Sequence, residues 1–165
     1  EKDKDIITFI LGGPTKYYDY NNENIIKIFS KISKHLIENN LQLIFVPSNR
    51  TPKEIITFAK EYFNKNRLIV ETVDKKAYLS SLALSKYIVV TCDSSSMISE
   101  AALTGKPVYV AMIPPKRNDK RFKKFRSLFE ELNIIKELGN ELTSWSYKSL
   151  DETNRIALKI KEQLK

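Results

Sequence analysis

The sequence predicts a doubly wound α/β domain, a mostly parallel sheet of about six strands with helices on both faces. Three observations carry this. Short β-branched apolar runs recur along the 165 residues. Amphipathic segments of helical period separate them. Glycine, proline or a capping residue stands at most of the boundaries. Strands that alternate with helices build βαβ units, and right-handed crossovers wind them into such a sheet.

Ile6-Ile7-Thr8-Phe9-Ile10-Leu11 is continuous and suits a strand buried on both faces, ended by Gly12-Gly13-Pro14. From Asn24 to Glu38, Ile25, Phe29, Ile32 and Leu36 fall on one helical face, with Ile26 and Ile37 beside them and lysines opposite. Leu41 to Val46 is the second strand. Thr51-Pro52-Lys53-Glu54 reads as a helix start, with threonine as cap, proline in the first turn and Glu54 closing a capping box. Leu68 to Val70 is a short third strand and Lys75 to Leu84 a helix. Tyr87 to Thr91 is the fourth strand, followed by a helix from about Met97 to Thr104 with Gly105 at its C-cap position. Val108 to Met112 is the fifth strand, Arg121 to Leu132 a helix, and Ile134-Ile135 a short sixth strand. Ser149-Leu150-Asp151-Glu152 is a second capping box, opening a last helix with Ile156, Ile160 and Leu164 on one face.

Composition narrows the class. Hydrophobic residues make up 42% and charged residues 29%, the balance of a globular chain. One cysteine and one histidine exclude a disulfide framework and the usual zinc sites, so no metal is expected. No apolar run approaches the ~20 residues of a membrane helix. The chain opens with no signal-peptide pattern, so the expected location is cytoplasmic. It does not begin with methionine, and Glu1-Lys2-Asp3-Lys4 runs straight into a strand, as in a piece of a longer protein. The net charge is +8, from 28 basic and 20 acidic residues. That excess suits phosphorylated ligands, nucleic acid or an anionic membrane, and equally the residue bias of an AT-rich genome.

In this architecture ligands sit at the carboxyl ends of the strands. The loop after the fourth strand, Thr91-Cys92-Asp93-Ser94-Ser95-Ser96-Met97-Ile98-Ser99-Glu100, leads serines into a helix N-terminus. Free N–H groups and the helix dipole there favour an anion such as phosphate. Glu100, one turn on, is placed to accept hydrogen bonds from sugar hydroxyls. The same residues equally suit a plain cap by Asp93 or a serine, with Glu100 held by the dipole. After the first strand, Gly12-Gly13-Pro14-Thr15-Lys16 is neither a dinucleotide fingerprint nor a Walker loop. Thr15 and Lys16 there touch a phosphate or an acceptor, or the segment is a plain strand-ending turn. Arg50, after the second strand, carries a guanidinium fork able to hold phosphate, or is a surface arginine at a helix start.

Lys116-Arg117-Asn118-Asp119-Lys120-Arg121-Phe122-Lys123-Lys124-Phe125-Arg126 holds seven cations. Phe122 and Phe125 are expected to pack inward and the cations to form an outer stripe. The stripe is a solvated face, or a site for anionic lipid or diphosphate. Nucleic acid is not expected, since no binding motif or stacking platform accompanies the charge. Cys92 reads as core, and its pairing with His35 as a catalytic couple is not expected. Trp145 and Tyr147 are expected to pack against the last helix.

The stretch Asp93-Ser94-Ser95-Ser96-Met97-Ile98-Ser99-Glu100-Ala101 with Thr104-Gly105-Lys106-Pro107-Val108 resembles the donor-site segment of GT-B fold enzymes. UDP-N-acetylglucosamine 2-epimerases and nucleotide-sugar glycosyltransferases carry it. There, small residues bind the diphosphate and the glutamate binds ribose. The resemblance implies the segment Ser94, Ser95, Ser96 and Met97 as diphosphate ligands and Glu100 as the ribose ligand; Gly13, Thr15 and Arg50 are expected beside the diphosphate from their place at the strand ends. Serines stand here where those families carry glycines, which puts the width of the phosphate pocket in question.

A longer resemblance runs through Gly12 to Tyr18, Pro47 to Glu54, Val89 to Ala101 and Leu150 to Ala157. These segments are similar to the elongated-mitochondria (mitochondrial fission) family of plants and its bacterial members, often labelled nucleoside-diphosphate-sugar epimerases. Family members are about twice this length. The resemblance therefore implies a Rossmann-like C-terminal half of a two-domain GT-B protein, partnered by its own N-terminal domain. A UDP-sugar is the implied ligand, with no separate cofactor. Whether the whole protein is an enzyme stays open, and the half alone is expected not to turn over. The alternative is a non-catalytic adaptor, peripheral to the inner membrane through Lys116–Arg126.

Overall fold

The computed structural model describes residues 4–65, 67–72 and 74–149. Six strands form one sheet, β1 (Ile6–Leu11), β2 (Gln42–Pro47), β3 (Arg67–Ile69), β4 (Tyr87–Thr91), β5 (Val108–Ala111) and β6 (Ile135–Glu137). Five helices connect them, α1 (Asn22–Glu38), α2 (Lys53–Tyr62), α3 (Lys75–Leu84), α4 (Ser95–Ala102) and α5 (Lys120–Glu131). The strand order is β3-β2-β1-β4-β5-β6, and every pairing is parallel. The last helix read from Ser149 onward lies outside the described residues.

The four central strands β1, β2, β4 and β5 are apolar enough to be covered on both faces. β4 is buried at all five positions. Alternate side chains go to opposite faces. On one face Phe9 and Phe45 sit in register. Phe29 of α1 meets both, edge-on, at 6.0 and 6.1 Å between centroids. Phe58 of α2 stacks flat on Phe29 at 5.7 Å, so α1 and α2 share this face. On the other face Thr8 accepts from Ser85 and donates to the Ser81 carbonyl, which seats α3. α4 follows on that side and buries Ile98, Ala101 and Ala102.

The strand order reverses between β1 and β4. The chain leaves β1 toward β2 and leaves β4 toward β5, so the two following loops part there. Such a divergence opens a crevice at the carboxyl ends of the strands.

Three local expectations are corrected. The capping box at Thr51-Pro52-Lys53-Glu54 does not form. Pro52 takes the N-cap position of α2 with no side-chain cap, because the Thr51 hydroxyl is committed to the Leu11 and Gly12 carbonyls, each at 2.8 Å. The helix after β4 starts at Ser95, two residues before Met97, since serines enter a first turn readily. Arg126 is not part of the outer stripe. It is buried and donates to the Tyr18 hydroxyl at 2.8 Å and to Asp119 at 3.1 Å. Trp145 sits edge-on against Tyr109 of β5 at 5.0 Å, under the Lys136 ammonium; the last helix, against which it is expected to pack, lies outside the described residues.

Candidate functional site

The two loops at the divergence are bonded to one another. The Gly12 amide donates to the Thr91 hydroxyl at 2.8 Å, and the Gly13 amide to Asp93 Oδ2 at 3.2 Å. Arg50, from the loop after β2, completes the cluster. Its Nη1 donates to the Gly13 carbonyl at 3.0 Å and its Nη2 to Asp93 Oδ2 at 2.8 Å. A Cβ on Gly12 would overlap the Asp93 carboxylate, and one on Gly13 would overlap the Arg50 carbonyl. Both positions therefore need glycine for close approach. The second carboxylate oxygen of Asp93, Oδ1, is buried without a partner. Tyr20 closes the side, its hydroxyl donating to the Gly12 carbonyl at 3.3 Å. Burial first, then the Asp93 charge, push that hydroxyl above the ordinary tyrosine pKa.

Asp93 thus faces Arg50 and Gly13 and does not cap α4. Ser94 holds the N-cap position without a side-chain cap bond. The first-turn N–H groups of α4 have no intrahelical acceptor. None of Ser94, Ser95 and Ser96 has a positive φ. Serine in place of glycine is accordingly unstrained in this turn.

A cleft of about 900 Å³ opens beside this cluster. Arg50, Ser94, Ser96, Met97 and Glu100 all line it. Gly13 lies behind Arg50 as its anchor. Ser95 and Thr15 are not in the lining, and the Thr15 oxygen accepts from the Tyr17 amide at 3.2 Å. The wall facing α4 is α3, which presents Lys75, Tyr78, Leu79, Leu82 and Ala83 at helical spacing. Lys106 closes the far end. Its ammonium donates to the Leu82 carbonyl at 2.9 Å and to the Ala83 carbonyl, capping the C-terminus of α3. Burial lowers its pKa.

Sequence reading missed the α3 wall and the part played by Asp93. Period alone makes Tyr78 and Leu79 helix-surface residues. Only the packing of α3 beside α4 turns them toward a ligand space.

Elsewhere, Cys92 Sγ accepts from the Ile113 amide at 3.3 Å, and His35 Nε2 donates to the Gly139 carbonyl at 3.0 Å, so the two make no couple. Among the described residues there is no group of three His, Cys, Asp or Glu placed to hold a metal, and no helix long and apolar enough to cross a membrane.

An all-parallel six-stranded sheet, reversing between β1 and β4, is a Rossmann-like domain of the GT-B-like kind. The UDP-GlcNAc 2-epimerase of Neisseria meningitidis, solved bound to UDP-GlcNAc, shares the fold with a TM-score of 0.53 at 15% identity, covering 98% of this chain and 38% of that one. The chain belongs to the mitochondrial fission ELM1 family, whose model matches residues 1–164. An uncharacterized protein of Rickettsia prowazekii, RP120, is 33% identical over 170 residues, 98% of this chain and 48% of its own length. The mitochondrial fission protein ELM1 of Arabidopsis thaliana is 32% identical over 122 residues, 71% of this chain and 28% of its own length. The chain thus spans about half or less of the curated relatives it matches.

Proposed function

We propose that this chain is the nucleotide-sugar-binding domain of a two-domain, glycosyltransferase-like protein, with a UDP-sugar as ligand and its own N-terminal domain as partner. The observation that supports this best is convergence. Arg50, from the loop after β2, and Ser94, Ser96, Met97 and Glu100, from the start of α4, line one cleft at the carboxyl ends of the strands. The uncapped first turn of α4 supplies N–H donors, and Ser94 and Ser96 add hydroxyls. Arg50 spends one N–H on Gly13 and one on Asp93, leaving guanidinium donors for a diphosphate. Glu100 is exposed in the cleft one turn further on, at a sensible reach for ribose hydroxyls. The apolar floor of Leu79, Leu82 and Met97 suits the less polar parts of such a ligand.

Calorimetry with UDP and UDP-N-acetylglucosamine titrated into the full-length protein tests this. Binding that is lost in Glu100→Ala supports it. Absence of heat at millimolar ligand overturns it.

One observation favours a second reading, a non-catalytic adaptor that meets an anionic membrane. Lys116, Arg117, Lys120, Arg121, Lys123 and Lys124 are all exposed, and Leu128 and Leu132 are about half exposed on the same helix. Cations beside apolar side chains suit a lipid interface. Flotation with anionic liposomes, lost on charge reversal at Lys120, Arg121, Lys123 and Lys124, supports it. Flotation unchanged by the reversal removes it.

A further inference from the structure

Asp93 carries a charge that its own helix does not need. It stands just before α4, yet Ser94 takes the N-cap position and no side chain caps the turn. The Asp93 side chain has no exposed surface. Its Oδ2 accepts from the Gly13 amide and from Arg50 Nη2. A carboxylate shut away from water is costly unless it is paired and hydrogen-bonded. A serine starts a helix without that burden, so the carboxylate must serve what it holds.

What it holds is one guanidinium, gripped at two nitrogens. Arg50 Nη1 donates to the Gly13 carbonyl at 3.0 Å and Nη2 to Asp93 Oδ2 at 2.8 Å. Two anchors fix the plane of the fork, which one anchor would leave free to turn. The anchors are themselves tied down. Asp93 follows β4 by two residues. The Gly12 amide is bound to Thr91, and the Gly12 carbonyl accepts from Thr51 at 2.8 Å and from Tyr20 at 3.3 Å. The ends of β1, β2 and β4 thus combine to hold a side chain that is 40% exposed and lines the cleft. The grip uses two of the five N–H donors of the guanidinium and leaves the others open. Asp93 itself is not in the cleft wall.

We propose that Asp93 is a positioning residue for anion binding, fixing the Arg50 guanidinium in advance so that its open donors meet phosphoryl oxygens already ordered. This rests on the nucleotide-sugar reading given above and adds to it a residue that touches no ligand. A free arginine loses rotamer freedom when it binds, and one ordered beforehand does not.

Calorimetric titration of UDP into the full-length protein and its variants tests this. Asp93→Ala is expected to weaken UDP binding ~10-fold. Asp93→Asn keeps an oxygen for Gly13 and Arg50, and should recover binding to within ~3-fold of wild type. In an Arg50→Met background Asp93→Ala should weaken UDP no further, because the group it positions is gone. Arg50→Lys leaves the buried carboxylate in place and keeps the cation but not the fork, and should lose ~10-fold. UDP bound by Asp93→Ala as tightly as by the wild type would overturn the proposal. So would an equal loss in both backgrounds, which would make Asp93 a structural part of the loop. Should Asp93→Ala fail to fold, Arg50→Lys decides, and wild-type affinity in that variant overturns the proposal. In each of these cases a wild type that binds UDP leaves the nucleotide site standing. Absence of UDP binding by the wild type overturns the nucleotide site and this inference with it.

Discussion

Arg50 Nη2 donates to Asp93 Oδ2 at 2.8 Å, and the Asp93 side chain has no exposed surface while that of Arg50 is 40% exposed. The pair is asymmetric. The carboxylate has lost its water and depends on Arg50 and the Gly13 amide, whereas the cation keeps much of its hydration. Removing one partner of a fully buried pair costs about 3–5 kcal/mol, and of an exposed one about 0–1. Arg50→Met should therefore destabilise by ~2 kcal/mol in urea unfolding. In an Asp93→Asn background the same change should cost ~0.5 kcal/mol, since the charge it orphaned is gone. Equal costs in the two backgrounds would deny the coupling.

Glycine has unequal value along the chain. Gly13→Ala would drive its Cβ into the Arg50 backbone carbonyl, which no side-chain rotation relieves. We expect a loss of ~3 kcal/mol or more, within the range for overpacking and a broken network. Gly139 has nothing within 4 Å of its virtual Cβ. Gly139→Ala should be within ~0.5 kcal/mol of wild type, which makes it the control in the same denaturation series.

The basic segment divides into one structural cation and several solvated ones. Arg126 binds Tyr18 and Asp119, and its side chain is 8% exposed. Arg126→Ala should cost ~3 kcal/mol and loosen the loop after β1 from α5. Lys124→Ala, on the exposed face, should cost under ~0.5 kcal/mol. Chemical denaturation of the two variants side by side decides this.

Alkaline pH should weaken the fold in a defined window. Burial pushes the Cys92 thiol from its ordinary 9.0 to about 11 and the Tyr18 hydroxyl from 10.0 to about 12. In both cases the folded state holds its proton longer than the unfolded chain. Their contribution is therefore complete below pH 9 and is lost as pH rises toward 11 and 12. Urea midpoints should be flat near pH 8 and fall above pH 9. Cys92→Ala should flatten the portion between pH 9 and 10. A midpoint constant through pH 11 would contradict the buried, protonated thiol.

The strands and helices were legible because their period is local. β1, α3 and β4 lie where the apolar runs placed them, whereas α4 ends at Ala102 with Leu103 as its C-cap, and Gly105, with φ of 71°, stands two residues past the cap position expected for it. Bounds slipped where a side chain found a distant partner. Thr51 looked like a cap because threonine before proline usually is, yet its hydroxyl serves β1, 40 residues earlier. Arg126 looked like its basic neighbours because charge in a sequence does not reveal a buried tyrosine 108 residues away. The cleft was half legible. The serines, Arg50 and Glu100 end up together because all follow parallel strands at one sheet edge. Tyr78 was invisible, since no local rule says which face of α3 meets α4.

The central claim is that the α4 turn and the loop after β2 hold the diphosphate of a nucleotide-sugar. Hydrogen–deuterium exchange of the full-length protein, with and without saturating UDP, tests it most directly. Slower exchange is expected in peptides covering 47–50 and 93–100, with 116–126 unchanged. Exchange unaltered in the first two segments, or protection confined to 116–126, would contradict it.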